Sequence, residues 1–416
     1  MSMRCRHCDA LVSLPLADLG TSPPSNAYLS TAALHEPERW YPLRVLVCER
    51  CWLVQTEDFA QAHELFDANY AYFSSFSSSW LDHARRYANT MRDRFGLEKT
   101  SHVVEIASND GYLLQYVAEL GIPCLGVEPT ASTAAAARDK GLQVVESFFG
   151  RELALELHGQ GHAADLMVAN NVLAHVPDIN DFVVGFSILL KPAGVATFEF
   201  PHVLQLVQQA QFDTLYHEHF SYLSLTAVQR IFVENGLQIF DVQELFTHGG
   251  SLRIFAQRSD SPTPFKTEAA VSFMQEREDL AGIRSSDFYR NFQAQALRIK
   301  DELLTFLLQA KFNGQKVVAY GAAAKGNTLL NFAGVRADML AYVVDKNPSK
   351  QGFYMPGSRI PIVDESRLRE DRPDIVIILP WNLKDEIVTQ LDYVREWGGR
   401  FAVAVPALKI LENMPI

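Results

Sequence analysis

From residue 102 onward, short apolar runs alternate with helical segments, and this alternation sets the strictest limit on how the chain can fold. The runs predict strands at 102–107, 124–129, 142–147, 165–170 and 194–200. Because a helix separates each strand from the next, the pattern predicts a parallel sheet wrapped by helices. Two further strands, LQIFDVQELF and SLRIFAQ, flank the turn sequence THGG, which is typical of an antiparallel hairpin. Five parallel strands closed by such a hairpin indicate an α/β domain with the layout of a class I, Rossmann-like methyltransferase.

A second α/β unit follows a long helical segment. Residues 285–314 predict one continuous helix, capped by Ser285 or Ser286 and ended by Gly314. Apolar runs then predict strands at 316–322, 339–345, 374–380 and 400–407. The C-terminal part of the chain is therefore expected to be a second Rossmann-like, doubly wound domain.

Four cysteines form two Cys-x-x-Cys pairs near the N-terminus, Cys5 with Cys8 and Cys48 with Cys51. A reducing compartment argues against disulfides, and the spacing matches a tetrahedral thiolate site for zinc. Four thiolates leave no position for water, so this zinc is expected to be structural. Cys124, within a predicted strand, is expected to be an ordinary core residue. The resulting domain limits are 1–68 for the zinc-binding module, 69–280 for the methyltransferase domain and 281–416 for the C-terminal domain with its leading helix.

Side chains at the carboxyl ends of the first four strands predict a binding site for S-adenosylmethionine. The segment EIASNDGYLL contains one glycine, so a dinucleotide fingerprint is absent, and its acidic turn suits the amino-acid part of S-adenosylmethionine. Glu128 is placed to accept both ribose hydroxyls, and Phe148 to flank the adenine. The expected cofactor-binding residues are Glu105, Ala107, Ser108, Asn109, Asp110, Gly111, Glu128, Phe148, Asn170 and Asn171. Ligands of such sheets bind at this edge, which supports the assignment.

The second α/β unit offers a rival nucleotide site. Its segment YGAAAKGNTLLNF places Gly321 and Gly326 at a strand-to-helix turn, where the helix N-terminus and Lys325 could bind an anion. Asp345 ends the next strand, as an acid that binds the ribose of NAD would. This pattern leaves open an NAD-dependent oxidoreductase, although a tight turn without a ligand fits it equally well.

The stretch FDTLYHEHFSYLSL, residues 212–225, concentrates Tyr216, His217, Glu218, His219 and Tyr222 in seven positions. Successive residues of an extended chain face opposite sides, so the three residues of the His-Glu-His run cannot all face one substrate. Perturbable acids and bases at a cleft are typical of catalytic sites. The stretch therefore predicts acid/base catalysis, while the spacing itself indicates only a cluster of titratable groups.

Several motifs occur together in one order along essentially the whole chain. They are the two Cys-x-x-Cys pairs, EIASNDGYLL, ANNVLAHVPD, FEFPHVL, YHEHFSYLS, HGGSLRI and GAAAKGNTLLN…VVDKNPSKQG. In this order the chain resembles the sugar-nucleotide C-methyltransferases that build branched deoxysugars, such as the enzymes that methylate C-3 of 4-keto dTDP-hexoses. One departure is Ala107, where the family often has glycine. The resemblance implies S-adenosylmethionine and structural zinc as cofactors, and a nucleotide-linked keto-deoxysugar, dTDP-linked, as the substrate.

The resemblance also implies roles for individual residues. His219 would remove the acidic proton on C-3, which leaves an enolate that can form a carbon–carbon bond. Glu218 and Tyr216 would orient this base or the substrate, and His175 and Tyr70 would polarise the ketone or position the sugar. The implied substrate-binding residues are Tyr72, His202, Tyr222, Lys325, Asn327 and Lys350, the two lysines as partners of the diphosphate.

Charge and hydropathy narrow the remaining functions. A net charge of −12 and no stripe of Lys and Arg oppose a nucleic-acid partner, and with it an RNA-binding role for the zinc module. No apolar run approaches the ~18 residues that span a bilayer. The N-terminus lacks a basic segment before an apolar core, so we expect no signal peptide and a cytoplasmic protein, as a monomer or small homo-oligomer. A non-catalytic scaffold of three folded units is the remaining alternative.

Overall fold

A computed structural model describes residues 3–59 and 73–411 of the chain. The strands are β1 (Leu14–Ser22), β2 (Tyr41–Val47), β3 (Val54–Thr56), β4 (Val103–Ile106), β5 (Cys124–Val127), β6 (Val144–Val145), β7 (Ala164–Asn170), β8 (Leu190–Pro201), β9 (Ser221–Tyr222), β10 (Leu237–Leu245), β11 (Ser251–Arg258), β12 (Val317–Tyr320), β13 (Val343–Val344), β14 (Ile362–Val363), β15 (Ile375–Ile378), β16 (Arg400–Val403) and β17 (Lys409–Leu411). The helices are α1 (Ser78–Phe95), α2 (Leu114–Glu119), α3 (Ala131–Asp139), α4 (Arg151–Gly159), α5 (Ile179–Leu189), α6 (Val203–Gln208), α7 (Leu225–Glu234), α8 (Ala269–Ala281), α9 (Ser286–Tyr289), α10 (Phe292–Phe312), α11 (Ala324–Ala333), α12 (Ser366–Asp371) and α13 (Lys384–Gln390).

The central sheet has the strand order β10-β11-β8-β7-β4-β5-β6. Strands β4 to β8 are parallel, and β11 is antiparallel to both of its neighbours, β8 and β10. The five predicted parallel strands and the closing hairpin are thus confirmed. The second strand of the hairpin lies next to β8, which gives the strand order of a class I methyltransferase.

Both faces of the central sheet are covered by apolar side chains, as expected for parallel strands. One face packs Phe186, Phe198 and Phe232 into a buried cluster. The other packs Tyr87 and Met91 of α1 against the strands. Because both faces are occupied, polar groups of the sheet are left to its edges, and the carboxyl edge becomes the place for a ligand.

The C-terminal sheet has the order β14-β13-β12-β15-β16-β17 and is parallel except for β17, which confirms the second Rossmann-like domain. The single helix predicted over 285–314 is wrong, because the chain forms two helices, α9 and α10. Ser285 does cap the first of them, and Gly314, at a φ of 69°, follows the end of the second. At the break, the ring of Tyr289 stacks on Trp52 of the zinc-binding module at 6.3 Å. A tertiary contact has thus overridden a local helical preference.

The N-terminal sheet has the order β1-β2-β3-β9 and is antiparallel. Its last strand comes from the stretch 212–225, far along the chain, and pairs Tyr222 with Val54 and Ser221 with Gln55. The buried residues of β1 and β2 also share one apolar core with α10 and the C-terminal sheet. The zinc-binding module is therefore packed into the protein between the other two domains, and the domain limits stay a prediction.

Across residues 3–59 and 73–411, no helix combines the length and apolar character that crossing a membrane requires.

Candidate active site

The turn after β4 is tight and lies at the carboxyl edge of the sheet, where the cofactor is predicted to bind. Ala107, Asn109 and Gly111 all have positive φ, at 56°, 50° and 75°. A Cβ at Gly111 would overlap Cδ1 of Leu142, so only glycine fits there. The segment before α1 also holds the turn, because Oδ1 of Asn109 accepts a 2.9 Å hydrogen bond from the backbone N–H of Ser74.

Glu128, at the end of β5, is fixed against the same turn. Its Oε2 accepts a 2.9 Å hydrogen bond from the N–H of Asn109, and its Oε1 accepts a 3.0 Å bond from the N–H of Thr130. Burial raises the pKa of this carboxyl above its ordinary value. Glu128 therefore shapes the turn as well as standing where a ribose would be expected.

Several buried polar atoms at this edge of the sheet have no hydrogen-bond partner among residues 3–59 and 73–411. They are Oγ of Ser108, Oδ1 of Asp110 and both amide atoms of Asn170 and of Asn171. Each such atom costs about 1–3 kcal/mol if it stays unpaired. A polar ligand with an amino-acid group and a ribose, such as S-adenosylmethionine, would satisfy them.

Two more predicted cofactor residues lie at the same edge. Glu105 is buried in β4, and burial raises the pKa of its carboxyl well above the ordinary value, an effect that a ligand's ammonium group would reverse. Phe148, after β6, is 52% exposed, so its ring is free to cover a flat base. The residues present therefore fit the predicted cofactor.

His219 is held in one tautomer by the backbone. Its Nδ1 lies 3.1 Å from the carbonyl oxygen of Thr214, which can only accept a hydrogen bond. Nδ1 therefore carries the hydrogen, and Nε2 keeps the lone pair. Burial, together with the nearby His175, places the pKa of His219 well below its ordinary value. The imidazole is neutral at pH 7 and can accept a proton.

Other predicted residues surround this ring. The ring centroids of Tyr216 and His175 lie 4.0 Å and 4.6 Å from that of His219, and the ring of Tyr222 lies at 5.6 Å. Nδ1 of His175 donates a 2.7 Å hydrogen bond to the carbonyl of Glu218, and burial lowers the pKa of His175 to about 4. The structure thus brings together four of the predicted site residues.

The side chains of the His-Glu-His run do not share one direction: His217 and Glu218 contact the zinc-binding module, whereas the ring of His219 packs on Tyr216. Nε2 of His217 lies 3.1 Å from the carbonyl of Pro42 and so faces the zinc-binding module. Oε1 of Glu218 accepts a 3.2 Å hydrogen bond from the amide of Asn26, also in that module. Burial raises the pKa of Glu218 to about 7. The zinc-binding module therefore forms one wall of the site, which sequence reasoning did not anticipate.

His202 has a structural partner. Its ring is 1% exposed, and Nε2 lies 2.7 Å from Oε1 of Glu278. The same carboxylate accepts the N–H groups of Leu225 and Thr226 at the start of α7. His202 thus ties the end of β8 to a capped helix, and its contact with a substrate stays a prediction. Tyr70 and Tyr72 lie outside the described residues.

The turn predicted to bind NAD in the C-terminal domain is held by contacts within the protein. The hydroxyl of Tyr28, from the zinc-binding module, donates a 2.6 Å hydrogen bond to the carbonyl of Ala322, and Nζ of Lys350 donates to the same oxygen at 2.8 Å. Asp345 accepts a 2.8 Å hydrogen bond from the N–H of Ala322, so its carboxylate holds the turn. Asn327 donates to the carbonyl of Ser25. The alternative of an oxidoreductase is not supported.

Sequence reasoning missed a buried charged group beside the histidines. Glu199, at the end of β8, accepts hydrogen bonds of 2.9 Å from both His83 and Arg253. Thr247 lies 3.4 Å from the same carboxylate, and burial lowers the pKa of the neighbouring His248 to about 4. A glutamate inside the apolar run FEF was the available signal, because a charge in a buried strand requires partners.

The four N-terminal cysteines lie together as predicted. Their sulfur atoms all lie within 4.8 Å of one another, and none is in a disulfide. The Sγ atoms of Cys5 and Cys51 are 3.4 Å apart, and those of Cys8 and Cys48 are 3.6 Å apart. A tetrahedral site with Zn–S bonds of about 2.3 Å has edges of about 3.8 Å, so the four sulfurs fit one zinc ion.

The strand order of the central sheet and the site at its carboxyl edge together identify the protein as a class I methyltransferase. Family comparisons agree along the chain: a zinc binding domain matches residues 5–66, a methyltransferase domain residues 80–242, and the C-methyltransferase C-terminal domain residues 246–406. The C-methyltransferase NovU from Streptomyces niveus is 32% identical over 98% of this chain and 96% of its own. The chain therefore belongs to the sugar C-methyltransferase family, and is an S-adenosylmethionine-dependent C-methyltransferase with a zinc-binding domain.

Similarity to solved structures is lower. Magnesium protoporphyrin IX methyltransferase (ChlM) from Synechocystis PCC 6803 with bound SAM is 14% identical over 44% of this chain and 82% of that chain, with a TM-score of 0.33. The PH0226 protein from Pyrococcus horikoshii OT3 is 12% identical over 48% of this chain and 100% of that chain, with a TM-score of 0.36.

Proposed function

We propose that the protein methylates C-3 of a nucleotide-linked 4-keto-deoxysugar, next to its keto group. The observation that carries the proposal is His219, a neutral imidazole whose Nε2 keeps its lone pair and whose ring lies among Tyr216, His175 and Tyr222. A base of this kind is what carbon methylation next to a ketone requires, because the carbon becomes a nucleophile only after it loses its proton.

The reaction then begins with proton transfer to Nε2 of His219. The electron pair of the broken C–H bond moves into the carbon skeleton and places negative charge on the keto oxygen. When bound, S-adenosylmethionine supplies an electrophilic methyl group. The residues that would hold it are those of the turn after β4, together with Glu128, Phe148, Asn170 and Asn171.

Tyr216 and His175 are proposed to contact the sugar or its keto group, since both rings pack directly on His219. Glu218 is proposed to orient His219 or the substrate, and its own carboxylate is held by a hydrogen bond from Asn26 of the zinc-binding module. We propose Asn327, in the GAAAKGN segment, and Lys350, which bonds to Ala322 of that segment, as contacts of the nucleotide. The cytoplasm is the compartment that suits five cysteines without a disulfide.

The test is a product analysis. The protein is incubated with S-adenosylmethionine and a dTDP-linked 4-keto-2,6-dideoxyhexose, and the sugar is examined by NMR for a new methyl group on C-3. A GDP-linked sugar of the same structure tests the nucleotide. A methyl group on an oxygen, or no product with either sugar nucleotide, would contradict the proposal.

A further inference from the structure

Lys325 occupies a half-buried position between two domains. It lies in the first turn of α11, and its Nζ donates a 2.9 Å hydrogen bond to Oδ1 of Asn382. The same nitrogen lies 4.6 Å from the centre of the Trp381 ring. A lysine ammonium has three N–H donors, and the contact with Asn382 uses one of them.

Trp381 connects this lysine to the segments that carry the histidines. Its Nε1 donates a 2.7 Å hydrogen bond to Oδ2 of Asp213, a fully buried carboxylate one residue before Thr214. On its other side, a Cβ at Gly249 would overlap the indole ring, so the turn after β10 lies against Trp381. Thr214 orients His219, and Gly249 follows His248. Lys325 therefore packs on the Trp381 ring, and this ring contacts both the segment before His219 and the turn that contains His248.

Lys325 is positively charged, whereas the nearby imidazoles of His219 and His248 are neutral. Its positive charge contributes to the lowered pKa of both His219 and His248, after the larger effect of burial. Burial lowers the pKa of Lys325 to about 8, an effect that Asp213 opposes, so the ammonium form still prevails at pH 7. His219 and His175 each use an N–H on a backbone carbonyl, which leaves them as acceptors. A charged donor would stabilise negative charge formed on a substrate here more strongly than the neutral hydroxyl of Tyr216, whose ring packs on His219.

We propose that Lys325 donates a hydrogen bond to the keto oxygen of the substrate and stabilises the enolate that forms when His219 removes the adjacent proton. The proton goes to Nε2 of His219, the electron pair of the C–H bond ends on the oxygen, and Lys325 keeps its own proton. This inference rests on the proposed function. The inference places Lys325 at the keto group of the sugar, whereas the family resemblance implied a place at the diphosphate. The C-terminal domain then contributes a residue to the methyltransferase site.

The test uses Lys325→Met, which keeps the length of the side chain and removes its charge. The readout is exchange of the C-3 proton of the dTDP-linked 4-keto-sugar in deuterated water without S-adenosylmethionine, followed by NMR. At saturating sugar nucleotide, exchange should fall about 10²–10³-fold, as for loss of one oxyanion donor. The affinity for dTDP alone, measured by calorimetry, should be unchanged. Lys384→Met is the matched control, because Lys384 is exposed and its partner is Asp385; it should alter neither quantity.

Each result has a defined meaning. Wild-type exchange in Lys325→Met together with weaker dTDP binding would assign Lys325 to the diphosphate and overturn the inference alone. If the wild-type protein neither exchanges the proton nor transfers a methyl group to the sugar nucleotide, the proposed function fails, and the inference with it. Should Lys325→Met not fold, Asn382→Leu keeps the lysine and removes its anchor. Exchange about ten-fold slower would then support the inference, and an unchanged rate would oppose it.

Discussion

Nδ1 of His219 donates a hydrogen bond of 3.1 Å to the carbonyl oxygen of Thr214. Because this bond fixes the tautomer, Nε2 is the nitrogen that can take up a proton. The bond also connects the base to the 3-10 helix Phe212–Thr214, whose Asp213 is held by Trp381 of the C-terminal domain. The position of the base thus depends on two domains at once.

His219→Asn should abolish proton exchange on the sugar while leaving the binding of S-adenosylmethionine intact. Asparagine can keep a hydrogen bond to Thr214 but cannot take up a proton, and loss of a positioned general base costs about 10²–10⁴-fold in rate. NMR in deuterated water measures the exchange. In the wild-type protein, exchange should persist below pH 6.5, because the pKa of His219 is depressed and the base stays neutral there. Methyl transfer by His219→Asn close to the wild-type rate would show that another group is the base.

Glu128→Ala should weaken the binding of S-adenosylmethionine by about 10- to 100-fold, which corresponds to about 1.5–3 kcal/mol for hydrogen bonds to a charged group. The carboxylate also holds the N–H of Asn109, so the turn after β4 loses an anchor at the same time. Calorimetry measures the affinity. Glu146→Ala, which removes an exposed carboxylate beyond β6, is the control and should bind normally. An unaltered affinity in Glu128→Ala would remove this residue from the cofactor site.

Glu218→Gln should make the protein more stable at high pH. Burial raises the pKa of Glu218 to about 7 in the folded chain, above the value of about 4.3 expected when unfolded. The stability that its protonated form contributes is therefore complete below about pH 4.3 and is lost as the pH rises to about 7, by up to about 4 kcal/mol. Glutamine has no such loss and keeps an acceptor for Asn26. Urea unfolding at pH 5 and pH 8 should show a gain that grows with pH, whereas Glu49→Gln, at an exposed position, should show none. An equal gain at both pH values would contradict the burial argument.

Cys48→Ser should release the zinc and disturb the active site together. The Oγ1 of Thr56, in β3, donates a 2.6 Å hydrogen bond to the carbonyl of His219, and its N–H donates to that of Phe220 at 3.1 Å. Loosening the zinc-binding module should therefore slow proton exchange as well as lower the melting temperature. Metal analysis by mass spectrometry is the first measurement. Cys124→Ser, in β5, should keep its zinc, and full metal content in Cys48→Ser would refute the four-cysteine site.

Ala107→Gly should stabilise the protein by about 1 kcal/mol. Alanine at a φ of 56° is in the left-handed region, which costs an L-residue about 1–2 kcal/mol, and part of this gain is offset by the greater backbone freedom of glycine when unfolded. The free energy of unfolding in urea is the measurement. Ala118→Gly, inside α2, is the opposite control and should destabilise by about 1 kcal/mol. A loss of stability in Ala107→Gly would mean that the alanine methyl group makes a contact worth more than the strain.

The sequence by itself determined the features that depend on neighbouring residues: most strands, the zinc site and the polar residues at strand ends. Buried parallel strands are short apolar runs, so the parallel strands of the central sheet could be placed before their partners were known, whereas β14 and β17 of the C-terminal sheet were missed. Two Cys-x-x-Cys pairs constrain their sulfur atoms locally, so a zinc site could be predicted without knowing its surroundings. Polar residues at strand ends, such as Glu128 and Asn170, could be assigned to one edge because parallel strands end together.

Only the tertiary structure decided what lies around those groups. Asn26 donates a hydrogen bond to Glu218, 192 positions along the chain, and Tyr28 donates one to Ala322, 294 positions along. Contacts at such separations leave no periodicity in the sequence, since they depend on how completed domains pack. The same reason explains why β9 joined the zinc-binding module's sheet, why the helix over 285–314 broke at the contact of Tyr289 with Trp52, and why Lys325 came to lie over Trp381. Burial, which sets the pKa values of His219, Glu218 and Lys325, is likewise a property of the packed molecule and not of the residue types.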